Sequence, residues 1–459
     1  MYQSKLSVLR VLCSVLIGMA VLAGTEQRAW AQGWPAVYEP TILMTLNLEM
    51  DPGDWITIQN DETFDIEVPA MFWSGDEEHL LVNVRRKSGD PMNNDPAFTK
   101  VSIKIDVNDL VSGQRWNDLT KLSLENGDDA DVVSEGFAWY LHKIASGPEG
   151  YGYDHPAGYA SWITLIINGV DTGVYVNVEQ RDKQFLRNRG LYIQGQTWLY
   201  KVSDINQSTL KVGNGSSPTY DILCYSPFQR ENRDCPTPDA ATLAAELPGL
   251  IDMRAMMSMA AVNVFTGNPD AMFTHGKNFY FADFAAGRRR MHFPWDQDSV
   301  LTNIEGDIYG TRSSYSEILL SVPEFRAEFS DAMNDLVCGP FKREDLHAFL
   351  DSVEPVLTAA LDADPNNRLN GPASEHFDSI RNWVSGRLLV VASQIENFQS
   401  CNPDCYADCN GDNALNIQDI LCYLNLFSSR DPAADCNGDG TINTLDFLCF
   451  LNSFEAGCP

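Results

Sequence analysis

Two aspartates stand one residue apart, Asp296 and Asp298, directly after the aromatic run His292-Phe293-Pro294-Trp295. Carboxylates this close repel one another and lose hydration when partly buried. A divalent cation offsets both costs, and oxygen donors suit magnesium or manganese. Upstream lie Asp270, in Asn268-Pro269-Asp270, and Asn278, in Lys277-Asn278-Phe279-Tyr280. An aspartate, an asparagine and a later acidic metal pair are the parts of a phosphoryl-transfer centre. An isolated Asp-x-Asp more often caps a turn; Asp270 and Asn278 favour the metal reading here.

A second set of oxygen donors lies near the end. Asp408, Asn410, Asp412, Asn416 and Asp419 fall on positions 1, 3, 5, 9 and 12 of an EF-hand-type calcium loop. Asp435, Asn437, Asp439, Asn443 and Asp446 repeat the spacing. Ala414 and Thr441 supply backbone carbonyls at position 7, and Asp at position 12 is a shorter arm than the usual Glu. One apolar helix is expected after each loop, with Leu421, Leu424, Phe447 and Phe450 packing together. Cys409, Cys422, Cys436 and Cys449 recur at matching places and would staple a core too small to be secure alone. This duplicated pattern resembles a dockerin, a small all-α calcium-binding module that docks onto cohesins. The residues after Asn416 and Asn443, Ile417-Gln418 and Thr444-Leu445, differ from the usual partner-reading Ser-Thr pair, so the resemblance implies a cohesin-like or other cell-surface partner.

The charge balance narrows the remaining classes. With 63 acidic and 32 basic residues the net charge is −31, which disfavours nucleic acid as a partner, because phosphate binding needs a basic face. Lys5 and Arg10, the apolar run from Val11 to Gly24 and the small-x-small triplet Ala29-Trp30-Ala31 read as an export signal covering residues 1–31. No later stretch is apolar for long enough to span a membrane, so a secreted or cell-surface protein is expected. Of eleven cysteines, Cys13 leaves with the signal; three remain in the body and seven in the tail. If all pair, odd counts on both sides require a bridge between body and tail. Cys224 with Cys235 would close a short loop, and Cys338 with a tail cysteine such as Cys401 would be the tether.

These groups need elements to position them. Thr41–Leu46 and Trp55–Ile58 have strand-like composition, and Leu80–Lys87 and Lys100–Asp106 alternate as strands. Arg85, Lys87, Lys100 and Lys104 on the latter two either meet phosphates in a cleft or form a solvated face paired with acids; the spacing allows both. Asp131–Ile144 reads as a helix. Asn168-Gly169 marks a hairpin between Trp162–Ile167 and Gly173–Glu179. Leu199-Tyr200-Lys201 reads as a further strand. Pro238–Thr266 reads as helical with a break at Pro248, its methionines filling a core. Ser314–Phe398 reads as several helices.

Taken in order, Ile167-Asn168-Gly169, Gly173-Val174-Tyr175, Val178-Glu179-Gln180, Leu199-Tyr200-Lys201, Asn268-x-Asp270, Lys277-Asn278-Phe279-Tyr280 and Pro294-Trp295-Asp296-x-Asp298 resemble the spore coat protein CotH family of kinase-like proteins. Lys87-Ser88-Gly89-Asp90 departs from that family's glycine and serines. The resemblance implies an α+β chain with a two-lobed kinase-like domain over 75–398, after an extension at 32–74 and before the dockerin-like module at 401–459. It implies ATP as phosphate donor and serine or threonine of a secreted or surface protein as acceptor. Asp270 would orient or deprotonate the acceptor hydroxyl, Asn278 would hold one metal, and Asp296 and Asp298 would ligate magnesium or manganese. Lys104, Glu179 and Lys201 would position the nucleotide. The rival is a non-catalytic surface or matrix scaffold that keeps the fold and assembles through its tail.

Overall fold

Alternating side chains near the start of the chain close a seven-stranded barrel. Its strands are β1 (Met44–Glu49), β2 (Val68–Ser74), β3 (Leu80–Arg86), β4 (Ile103–Asp106), β5 (Lys121–Glu125), β6 (Ala160–Ile167) and β7 (Val170–Val178). They lie in the order β1-β2-β3-β4-β5-β7-β6, and parallel pairing of β1 with β6 completes the ring. Val82, Val84, Ile103, Ile105, Leu122 and Leu124 alternate along β3–β5 and are fully buried, as a period of two requires. The computed structural model describes residues 35–87, 100–128, 131–146, 156–204, 207–223, 228, 238–285, 288–364, 366–369, 371–396, 398, 401, 406–411, 414–436 and 441–456. Residues 40–459 form one unit; of the other, the described part contains a single 3-10 turn, Ala36–Tyr38.

The Trp55–Ile58 stretch is not a strand. It lies within α1 (Pro52–Gln59), started by Asp51, whose carboxylate accepts from the Gly53 amide, and by Pro52 at the first helical position. The cap and the preset proline φ outweigh β-propensity. Helix α2 (Val132–Ala145) forms as expected, capped by Asp131 on the Val133 and Ser134 amides. It packs against β6 through Gly136, where a Cβ would come within 2.4 Å of the Trp162 ring. The Asn168-Gly169 turn joins β6 to β7 with φ of 51° and 80°. After α3 (Lys183–Asn188), a second, antiparallel sheet contains β8 (Thr197–Asp204) and β9 (Gln207–Val212). Helices α4 (Pro218–Ile222), α5 (Ala240–Leu250) and α6 (Met253–Phe265) precede its remaining strands, β10 (Phe279–Phe284) and β11 (Met291–Pro294), and the sheet order is β11-β10-β8-β9.

Pro248 stays inside α5, and the break falls at Ile251-Asp252. There the backbone is drawn onto Arg290: its amide donates to Leu250 O at 2.8 Å, and its carbonyl accepts from Asp252 at 2.9 Å. Met253, Met256, Met257 and Met259 are buried core residues, as composition suggested. Helices α7 (Ser314–Leu320), α8 (Pro323–Cys338), α9 (Arg343–Ala363) and α10 (Ala373–Gln394) follow, then α11 (Ile417–Ser429) and α12 (Thr444–Ala456) in the tail. The described residues thus make a mixed α+β chain, and no helix among them is long and apolar enough to cross a membrane.

Disulfides join Cys409 to Cys422 and Cys436 to Cys449, one within each tail repeat, and Cys338 to Cys401 across a separation of 63 residues. The last is the body-to-tail tether; Cys224 and Cys235 lie outside the described residues. Peptide mapping without reductant should recover Cys338 and Cys401 in one linked species, and free thiols at both would contradict it. Replacing both by Ser should cost about 4 kcal/mol of stability, on the loop-entropy scale for this separation. The tail core differs from expectation. Leu421 and Leu424 are 55% and 39% exposed. Tyr423 stacks on Phe450 at 4.1 Å and with Phe447 and Phe427 forms the interior. Both helix faces are apolar, and the aromatic face bears the larger area to bury.

Candidate functional site

The pairing of the second sheet assembles the centre. Phe279 lies opposite Pro294 and Tyr280 opposite Lys201, so Asn278 and Trp295 flank the same sheet end as Lys201. Asn278 and Asp296 both adopt left-handed backbone, φ 58° and 59°. Asn and Asp tolerate this better than most residues, and such outliers concentrate at functional sites. The loop after α6 ties in the third group. Asn268 donates through Nδ2 to the Asp296 carbonyl at 3.1 Å and accepts the Asp270 amide at 2.8 Å. Asp270 then receives Lys277 Nζ at 2.8 Å and Asn278 Nδ2 at 3.4 Å, with His275 Nδ1 at 3.4 Å. Asp270, Asn278 and Asp296, read from sequence as one centre, are therefore in one place.

The electrostatics are those of a site short of positive charge. Burial raises the Asp296 carboxyl, as does the nearby Glu125; Lys201 and Lys87 oppose this, and Asp298 is close enough to hydrogen-bond it. Glu135, only 2% exposed, is raised further by burial and by Glu125, Asp298 and Asp296. Its Oε1 receives Trp139 Nε1 at 3.4 Å, and its Oε2 has no hydrogen-bond partner among the described residues. Trp295 has ammonium groups 5.1 Å (Lys87) and 5.5 Å (Lys201) from its ring centroid. Among the described residues, no three His, Cys, Asp or Glu side chains converge closely enough to hold a metal by themselves. The donor set still fits magnesium, which is commonly held by one or two carboxylates and completed by phosphate oxygens and water.

A family model described as CotH kinase protein matches residues 93–391. The chain belongs to the CotH kinase family. No curated protein matches it. The family match includes Lys104, Glu179, Lys201, Asp270, Asn278, Asp296 and Asp298; it leaves out β1–β3 with Lys87, and the tail.

Within this CotH chain the basic strands resolve into distinct roles. Lys87 binds Glu125 and donates to Ser123 Oγ at 2.9 Å. Lys100 is buried against Asp364 at 3.1 Å and belongs to the core. Arg85 donates to the Phe64 carbonyl at 2.9 Å. Lys104 is half-buried and forms no ion pair among the described residues; burial, with Lys87, Arg85 and Lys121 nearby, lowers its ammonium to about 7. Glu179 is not paired with Lys104. Arg189 binds it at 2.6 Å, and the Tyr159 amide donates to it at 3.1 Å. Glu125 and Glu135 were not singled out from sequence, although Glu135 had a signal: a carboxylate on the apolar face of a helix between Val133 and Phe137.

In the tail, Asp408, Asp419 and Asp446 are buried and Asp435 is half-buried, while Asp412, Asn437 and Asp439 lie outside the described residues. Asp419 accepts the Asn410 amide at 3.2 Å and the Asn416 amide at 2.9 Å, and Asp446 accepts the Asn443 amide at 2.8 Å. Asn416 and Asn443 turn their Nδ2 groups onto the Ala414 and Thr441 carbonyls, at 2.6 and 3.1 Å. Each repeat thus gathers several of its proposed ligands around the start of its helix.

Proposed function

We propose that this protein is a secreted kinase that transfers phosphate from ATP to serine or threonine of extracellular or surface proteins. The observation that carries the reading is the gathering of Asp270, Asn278 and Asp296 at one sheet end beside Lys201, in a chain of the CotH kinase family. Asp270 orients the acceptor hydroxyl and takes its proton. Asn278, Asp296 and Asp298 hold magnesium or manganese, which when bound neutralises phosphate charge. Lys201 and Lys104 face the phosphates, and Glu179, fixed by Arg189, braces the nucleotide side. The tail is a dockerin-like module with two calcium ions. Ile417, Leu421, Leu445 and Leu448, all more than half exposed, form its contact surface for a cohesin-like or surface partner. Incubation with γ-labelled ATP, Mg²⁺ or Mn²⁺ and a serine- and threonine-rich acceptor should label the acceptor; labelling that fails with every metal leaves the scaffold reading.

Lys104 gives this reading a pH signature. Its free ammonium titrates at about 7, and a phosphate beside it raises that value. Nucleotide binding then takes up a proton once the free amine is neutral. Affinity should fall as pH rises from about 7 to about 9, approaching roughly tenfold per unit. Lys104→Arg, which stays charged, should flatten the profile. A wild-type affinity independent of pH over this range would remove Lys104 from the phosphate site.

A further inference from the structure

A cavity of about 630 Å³ lies where the end of α8, the start of α9, the second half of α10 and the first tail loop meet. It shares no lining residue with the phosphate-transfer centre. Its floor is apolar, made by Val337, Phe341, Leu388, Leu389, Ile395 and Phe398, and Asn410, Gly411 and Gln418 of the tail close one side. The hydroxyls on its wall are already satisfied: Ser385 Oγ donates to Arg381 O at 2.9 Å and Ser393 Oγ to Val390 O at 2.7 Å. The specific polar features are therefore at the rim. There, among the described lining residues, Lys342 and Arg343 carry two positive charges against one negative, Glu344; Asp345, next in the helix, is outside the lining. Lys342 and Arg343 are exposed and have no ion pair among the described residues. They begin the 21-residue helix α9, whose N-cap side chain makes no capping bond, and its dipole adds to the local positive potential.

The size is that of a site for one small molecule. An apolar floor beneath a cationic rim, in a chain of net charge −31, selects a ligand with an alkyl body and an anionic head. We propose that this cavity binds a long-chain carboxylate, its alkyl chain on the floor and its head between Lys342 and Arg343. Calorimetric titration of the full, oxidised chain with dodecanoate below its micellar concentration tests this. One saturable site is expected, weakening by roughly fourfold per methylene removed toward octanoate. Dodecylammonium, with the same chain and the opposite charge, should bind roughly tenfold or more weakly. Lys342→Glu with Arg343→Glu should weaken dodecanoate by roughly tenfold or more. Leu389→Trp, at a cavity position that is 51% exposed and so tolerant of a larger side chain, should fill the floor and abolish binding with the melting temperature unchanged. Absence of saturable dodecanoate binding, equal binding of dodecylammonium, or wild-type affinity in both variants would overturn the proposal.

Discussion

Asp298→Asn is expected to reduce phosphate transfer by at least roughly 10²–10³-fold, the scale on which single preorganised electrostatic contacts act. The substitution removes a charge and little volume. The carboxyls of Asp296 and Glu135 are both raised, burial being the largest cause and neighbouring carboxylates adding to it. Asp298 is one of the carboxylates that raise Glu135, so removing its charge relieves that repulsion, while an asparagine at 298 can keep the hydrogen bond to Asp296; the metal-free variant should therefore fold as well as the parent. Loss of transfer with an unchanged or higher melting temperature assigns Asp298 to the centre. Retained transfer would show that the acidic pair is only a turn cap.

Calcium is expected to stabilise the tail strongly. Asp408, Asp419 and Asp446 are buried, and with Asp412, Asp435 and Asp439 they bring three carboxylates to each repeat. Without metal these charges oppose folding; with metal, binding free energy becomes folding free energy. At a hundred times Kd each site contributes about 2.7 kcal/mol. For a module of this size two such sites raise the melting temperature by on the order of 20 °C or more. Calorimetry on the full chain, with and without chelator, should show a calcium-dependent transition that Asp412→Ala with Asp439→Ala removes. A chelator-insensitive wild-type transition, or no calcium binding at roughly millimolar concentration, would refute the ion sites. Cys409–Cys422 and Cys436–Cys449 stay closed in both arms, so the difference reports the metal alone.

Local chemistry made much of this legible in sequence. Asn168-Gly169 announced its hairpin because both residues accept positive φ, and the apolar residues from Val132 to Ile144 announced α2, whose Asp131 cap the structure adds. Odd cysteine counts in body and tail implied a bridge between them if all paired, and Cys338–Cys401 is that bridge. What local chemistry does not carry is long-range pairing. Nothing in Met44–Glu49 says that it lies parallel to Ala160–Ile167 and closes a barrel, so Lys87, Glu125 and Glu135 could not be grouped in advance. Trp55–Ile58 misled because its composition is strand-like, while the signal that decides it, the Asp51-Pro52 helix start, lies just upstream. The tail helices misled because apolar residues surround them, and periodicity alone does not choose between Leu421 and Tyr423 for the interior. At the centre, the residue types suggested a candidate chemistry; that Asp270, Asn278 and Asp296 lie together comes from the β10–β11 register and from Asn268.

A nucleotide site built around Asp296 and Asp298 is the centre of the proposed function, and nucleotide binding tests it most directly. Isothermal titration of the full chain with ATP, with and without Mg²⁺ or Mn²⁺, should show one site that requires the metal and is lost in Asp296→Asn and Asp298→Asn. A wild-type chain that binds no nucleotide across a range of divalent cations would contradict it, leaving a kinase-family fold used as a scaffold.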